Sequence, residues 1–216
     1  MNGKILIMTA VEAERDAVLR GLNGDDRFEV RLAGVGPVAA AISTTTALMN
    51  GEYALVVSSG IAGGFEGRAE IGDVVVSTEI AAADLGVETP EGFSSVDELG
   101  FGTSRVDADK RAADRAVGAL TAGGFAARFG PIATVSTATG TAATAARLAD
   151  RVPGVVAEGM EGYGVAAAAR AKGVPALEIR AISNRVGPRD RSAWRIGDAL
   201  QSLEAAFALL TEGLQP

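Results

Sequence analysis

Apolar residues in this chain arrive in two alternating rhythms. Short runs rich in Val, Ile, Leu and Ala occur at Ile5 to Met8, Phe28 to Ala33, Ala54 to Ser58, Val74 to Glu79, Ile132 to Ser136, Val155 to Ala157 and Leu177 to Ser183. Several lack polar alternation, the pattern of strands covered on both faces. Between them lie longer, Ala-rich stretches read as helices: Val11 to Arg20, Val38 to Met49, Ala108 to Ala122, Thr141 to Asp150, Glu161 to Lys172 and Ala193 to Thr211. This order predicts an α/β fold, a three-layer α/β/α sandwich around a mixed, largely parallel central sheet. The sixth strand and the helix after it are joined so tightly that Gly159 to Glu161 must lie at the strand's carboxyl end. One segment breaks the rhythm. From Ala83 to Asp107 the chain is acidic, Gly-rich and aromatic, and reads as a long loop, either a functional lid or a solvated insertion. With no linker or internal repeat, residues 1–216 read as one domain.

Composition narrows the chemistry. The 216 residues carry 20 Lys+Arg against 27 Asp+Glu, a net charge of −7. That balance disfavours nucleic acid or an anionic membrane as partner. A hydrophobic fraction of 48% argues for a packed core. The absence of Cys and His excludes disulfides, Cys nucleophiles, a Ser-His-Asp triad and His- or thiolate-ligated zinc. Acid/base work must therefore rest on Asp, Glu, Lys or Tyr. No ligand cluster stands out for a metal and no motif calls for a cofactor. The opening KILIM run reads as a first strand rather than a signal peptide, and no apolar run has membrane-spanning length. A cytoplasmic protein is expected.

The glycine motifs are not nucleotide fingerprints. Gly34-Val-Gly36-Pro37 lacks a third glycine, and Gly60-Ile-Ala-Gly63-Gly64 is not followed at once by a long helix. The first is read as supplying positive-φ turns. The second reads as a turn at the end of a buried strand, where open α/β sheets bind ligands. Polar residues follow three hydrophobic strands: Glu12, Glu14 and Arg15 after the first, Glu158 and Glu161 after the sixth, and Arg180, Ser183 and Asn184 in the last. Either early glutamate, and Glu161, has an alternative reading as a partner of a helix dipole. Arg180 within an apolar strand does not, because a buried guanidinium needs carboxylate partners.

These landmarks carry a resemblance. The Ala-x-Glu-x-Glu turn, Ser59-Gly60-Ile61-Ala62-Gly63-Gly64, Ile71-Gly72-Asp73-Val74-Val75, Gly159-Met160-Glu161-Gly162 and Arg180-Ala181-Ile182-Ser183-Asn184 appear in the order found in the nucleoside phosphorylase/nucleosidase superfamily. They most resemble its methylthioadenosine/S-adenosylhomocysteine nucleosidase-like branch. Within that branch the tail from Asn184 to Trp194 is similar to the futalosine hydrolases, which release hypoxanthine from futalosine in an alternative menaquinone pathway.

The resemblance implies a small-molecule nucleoside substrate and a set of roles. Glu14, with Glu12 as the neighbour it can be confused with, would activate the attacking water. Arg180 would hold that water and the carboxylates around it. Met160 would pack on the ribose and Glu161 would accept from its 2′- and 3′-hydroxyls. Ser183 and Asn184 would address the base, with Ile61, Ala62, Thr139, Gly140, Thr141 and Gly159 lining the substrate. Two glutamates in the first turn with only Arg15 favour water over phosphate as acceptor. Adenine-releasing relatives carry Asp where this chain has Asn184. An amide suits a 6-oxopurine and cannot act as the acid, leaving the leaving-group proton to solvent or another residue. Ile61 replaces a hydroxyl residue of the relatives, and the run from Val135 to Thr141 lacks their stacking aromatic. Arg189 and Arg191 are read either as contacts for the substrate carboxylate or as surface ion pairs, and Trp194 as an anchor of the last helix. The other readings are an adenine-releasing nucleosidase, a purine nucleoside phosphorylase, or a non-catalytic nucleoside-binding domain. The family implies a homodimer or larger homo-oligomer, to which Val38 to Met49 offers an apolar face if that face is not core.

Overall fold

The computed structural model describes residues 3–215. In chain order it begins with β1 (Lys4–Thr9), α1 (Glu12–Leu22), β2 (Phe28–Leu32), α2 (Pro37–Met49), β3 (Tyr53–Gly64) and β4 (Val74–Ala82). A middle section follows, with β5 (Gly86–Thr89), β6 (Gly92–Ser95), β7 (Arg105–Asp107), α3 (Lys110–Ala122) and β8 (Ala127–Thr134). The chain ends with α4 (Ala142–Arg151), β9 (Ala157–Gly159), α5 (Gly162–Ala171), β10 (Ala176–Arg185), a 3₁₀ turn at Arg191–Ala193 and α6 (Ile196–Gly213).

The sheet is mixed. Parallel ladders join β1 to β2, β1 to β3, β3 to β10, β4 to β8 and β8 to β9, while β10–β4, β3–β9 and β4–β7 are antiparallel. It does not stay open as the expected sandwich would. Following the ladders from β3 through β10, β4, β8 and β9 leads back to β3, so these strands close a ring from which β1 and β2 extend as a wing. Ala62, Val75, Ile132, Ala157 and Ile182 pack together as one buried cluster from these strands.

Two helix groups cover the wing and the adjoining strands. The odd residues Ile5, Ile7 and Val57 pack with α1, α3 and α6, and the even residues Leu6, Met8 and Val56 with α2 and α5. Strands buried on both faces have no polar face to alternate with, which explains their continuous apolar runs.

Three expectations are corrected. Gly60 to Gly64 is not a turn, because β3 runs straight through it. The sixth strand lies later than its apolar run, at Ala157–Gly159, where ladders to β3 and β8 hold it. The segment from Ala83 to Asp107 is not a structureless loop. It contains the β5–β6 hairpin and β7, which pairs with β4. Its strands of three and four residues are too short for a period to register. The hairpin lies against the end of α4, where the Arg151 guanidinium sits 3.8 Å over the Phe93 ring.

Candidate active site

The site starts where β1 hands over to α1. Helix starts leave backbone N–H groups without partners, and here Glu14 Oε2 accepts from the N–H of Ala10 at 2.9 Å and of Val11 at 3.2 Å. Its Oε1 accepts from the N–H of Ile61 on β3 at 2.9 Å. Glu14 is buried, while Glu12 points to solvent beside Arg15. That separates the two glutamates. Burial pushes the Glu14 carboxyl above its ordinary range, and the nearby Glu161 charge adds to this, against the pull of Arg180 and the Ile61 N–H. Gly60 makes the approach possible, since a Cβ there would stand 2.4 Å from Glu14 Oε1.

Arg180 is the hub. Only 1% exposed, it donates from Nε to Glu178 Oε1 at 2.8 Å and from Nη2 to Ser58 Oγ and Glu161 Oε2, both at 3.2 Å. Burial alone would lower its pKa, but the charges of Glu178, Glu161 and Glu14 more than reverse that, so it stays a cation. Glu161 is tied on its other side, where Oε1 accepts from the N–H of Gly36 at 3.1 Å. Gly36 has a φ of 90°, so the positive-φ turn read in the sequence also presents a donor to the site. Three carboxyl groups, those of Glu14, Glu161 and Glu178, thus surround a single guanidinium.

A second, neutral end lies further along β3 and β10. Ser183 Oγ sits 3.2 Å from the Ala62 carbonyl and 2.9 Å from Asn184 Oδ1, and Asn184 Nδ2 donates to the Arg185 carbonyl at 3.0 Å. This fixes the amide with its NH₂ forward and one N–H to spare. The ladder register shifts between Ile182 and Asn184, turning Asn184 towards Gly63. Across β3, Glu158 accepts from the backbone N–H of Thr139 at 2.9 Å and from its hydroxyl. Burial raises the Glu158 carboxyl, against these two bonds.

The remaining predicted residues divide. Gly159 lies under the Arg180 guanidinium, and Met160 is half-buried beside Glu161. Gly140 is exposed, and its carbonyl accepts from the N–H of Arg189, bringing the tail against this loop. Thr141 is exposed too, and its hydroxyl caps α4 by accepting from the N–H of Thr144. Arg189 stacks over the Trp194 ring at 4.9 Å, and neither it nor Arg191 forms an ion pair among the described residues.

Sequence reasoning missed Glu178. It stands two residues before Arg180 and so shares its strand face, a signal that the search for a buried arginine's partner offered. One of its oxygens, Oε2, is buried without a hydrogen-bond partner among the described residues, and burial pushes the carboxyl up against the pull of Arg180.

The fold agrees with the comparisons. A model of the phosphorylase superfamily matches residues 12–215, and the chain belongs to that superfamily. The futalosine hydrolase of Streptomyces coelicolor is 48% identical, over 98% of this chain and 96% of its own length. That of Acidothermus cellulolyticus is 47% identical, over 97% and 91%. Among solved structures, the native futalosine hydrolase of Helicobacter pylori strain 26695 matches with a TM-score of 0.86, covering 99% of each chain at 18% identity. The 5′-methylthioadenosine/S-adenosylhomocysteine nucleosidase of Neisseria meningitidis, in complex with methylthio-immucillin-A, gives 0.82 at 21% identity. At such identities these two structures speak for the fold alone.

Proposed function

We propose that this chain is a nucleosidase that hydrolyses the N-glycosidic bond of futalosine and releases hypoxanthine. The observation that carries the chemistry is the convergence of Glu14 and Glu161 on one buried guanidinium. Glu14 takes a proton from a water aimed at the anomeric carbon. Glu161 has lone pairs left beyond Gly36 and Arg180 to accept from two ribose hydroxyls, in charge-assisted bonds. Both carboxylates stabilise the positive charge that develops on the sugar as the bond breaks. Arg180 donates to Glu161 and opposes the rise that burial imposes on the Glu14 carboxyl.

Water is the acceptor this cluster favours. A phosphorylase needs spare cationic donors for phosphate, and the guanidinium here is already shared by three carboxylates. At the other end, Asn184 presents an N–H and suits the acceptor atoms of a 6-oxopurine. The futalosine assignment draws further support from the two relatives near half identity.

The test is chromatographic detection of free hypoxanthine from futalosine, with and without phosphate. Release at the same rate in both is expected. No release, or release only with phosphate, overturns the proposal. We also read the chain as one domain that associates through α2, which carries no charged residue and leaves Val38, Ile42 and Met49 exposed. A monomer by light scattering at assay concentration contradicts that association.

A further inference from the structure

Glu178 has no part in the chemistry above, yet it is wholly buried among the residues that do. It shares a strand face with Arg180, two residues on, and stands opposite Ser58 in the β3–β10 ladder. Its backbone N–H donates to Ser77 Oγ of β4 at 2.9 Å. Its carboxyl is wedged against the first residue of α5, for a Cβ on Gly162 would stand 2.1 Å from Oε2 and 2.4 Å from Oε1. Gly162 directly follows Glu161. The contacts therefore close a loop, from the head of α5 through Glu178 to Arg180 and back to Glu161.

A guanidinium is a planar fork whose donors point in fixed directions. Holding one edge therefore aims the others. Glu178 Oε1 takes Nε at 2.8 Å, the shortest hydrogen bond that Arg180 makes. With Nε held, Nη2 meets Ser58 and Glu161, while Nη1 reaches towards the Ile61 carbonyl. That second arm lies beside Glu14, since a Cβ on Gly60 would stand 2.4 Å from Glu14 Oε1 and 2.9 Å from Arg180 Nη1. Glu178 Oε2 has no hydrogen-bond partner among the described residues, so the side chain supplies the cluster with one acceptor, at Oε1.

We propose that Glu178 is a positioning residue for the hydrolysis: by accepting from Arg180 Nε it aims the guanidinium at Glu14 and Glu161 together. This rests on the nucleosidase reading given above. Glu178 acts through Arg180, and what it contributes is the acceptor rather than a charge. Glutamine keeps that acceptor and puts its NH₂ where Oε2 now meets no partner. Methionine, of similar length, has no such oxygen. The two variants lose the same ionisable group and differ in the acceptor alone. Glu14 reports where the guanidinium points. It faces Arg180 of β10 and Glu161 at the head of α5, while β3 brings the Ile61 N–H. Charged residues of its own helix pair elsewhere, Glu12 and Asp16 with Arg15 at the surface and Arg20 with Glu204 of α6. Arg180 opposes the rise of the Glu14 carboxyl. A guanidinium that swings away lets it rise further, and the acid limb of kcat/KM moves to higher pH.

The test follows futalosine hydrolysis against pH for the unmodified protein, Glu178→Gln and Glu178→Met, with circular-dichroism melts to establish folding. Glu178→Gln should keep kcat/KM within tenfold of the unmodified protein. Glu178→Met should fall at least tenfold below Glu178→Gln, because a misplacement of about 1 Å can cost roughly 10² in rate. Its acid limb should also lie at higher pH than that of Glu178→Gln. Gly162→Ala reaches the same displacement by another route, its methyl pushing the carboxyl off Nε, and should move the limb the same way. It decides the matter if Glu178→Met does not fold. A larger loss in Glu178→Gln, or an acid limb unmoved in the folded Met or Ala variant, overturns the proposal. A merely structural role lowers the melting temperature and leaves the limb in place. Absence of hypoxanthine release by the unmodified protein refutes the function itself, whereas an unmoved limb in active variants refutes only the role of Glu178.

Discussion

Glu14→Gln is nearly isosteric, so its effects on rate and on stability can both be worked out. In the protein both oxygens are occupied, Oε1 by the Ile61 N–H and Oε2 by those of Ala10 and Val11. A glutamine has one oxygen, so whichever way the amide turns its NH₂ faces a backbone N–H. If the oxygen stays at the helix start, the Ile61 N–H is orphaned, at a cost of about 1–3 kcal/mol. Removing a buried charge offsets part of this. For a chain of this size each kcal/mol moves Tm by about 2–4 °C, so Tm should fall by at most roughly 10 °C. The loss of a positioned base costs ~10²–10⁴ in rate, or roughly 3–5 kcal/mol in the barrier. At 25 °C the variant should therefore be folded and nearly inactive. The assay pairs a thermal melt by circular dichroism with hypoxanthine release at saturating futalosine. A folded variant that keeps more than a tenth of kcat refutes the assignment of Glu14 as the base.

Further outcomes follow from the same geometry. Glu14 works only when ionised and its pKa is raised above 4.5; kcat/KM should therefore fall with decreasing pH at a point above 4.5, and a limb at or below that value contradicts the burial argument. Gly60→Ala sets a methyl 2.4 Å from Glu14 Oε1; it should cost about 1–3 kcal/mol in urea unfolding and lower kcat by displacing the carboxylate, whereas unchanged turnover shows that Glu14 has slack. Arg180→Met leaves Glu178 and Glu161 buried without their cation, a loss of about 3–5 kcal/mol measurable by denaturant titration. Asn184→Asp gives the base end an acid, and preference should shift from inosine-type towards adenosine-type substrates; an unchanged ratio of kcat/KM refutes the role of the amide.

The longer elements were legible because their signals are local. Ile5 to Met8 and Leu177 to Ser183 are apolar runs that need no partner to be recognised, and the Ala-rich helices between them are equally plain. Arg180 announced a buried site by being a charge inside such a run. What escaped depends on pairing between distant residues. Neither the ring nor the shift after Ile182 can be seen without knowing which strand lies beside which. Glu12 and Glu14 both follow β1 in the first turn of a helix, and only the Ile61 N–H and the gap at Gly60 single one out.

Ring formation also bears on how the protein is made. β10 lies between β3 and β4, and β9 bridges β8 to β3, so the contacts that assemble the site join segments far apart in the chain. Such topologies fold slowly, because long loops must be closed before any reward is gained. On the ribosome, Glu14 emerges early, while Arg180 and Asn184 come near the end of synthesis. Until then β3 and β4 lack the strand that separates them, and their open edges invite pairing with other chains. A nascent or truncated chain ending before β10 should thus be inert and prone to aggregate, with hydrolytic competence the last property to emerge on refolding.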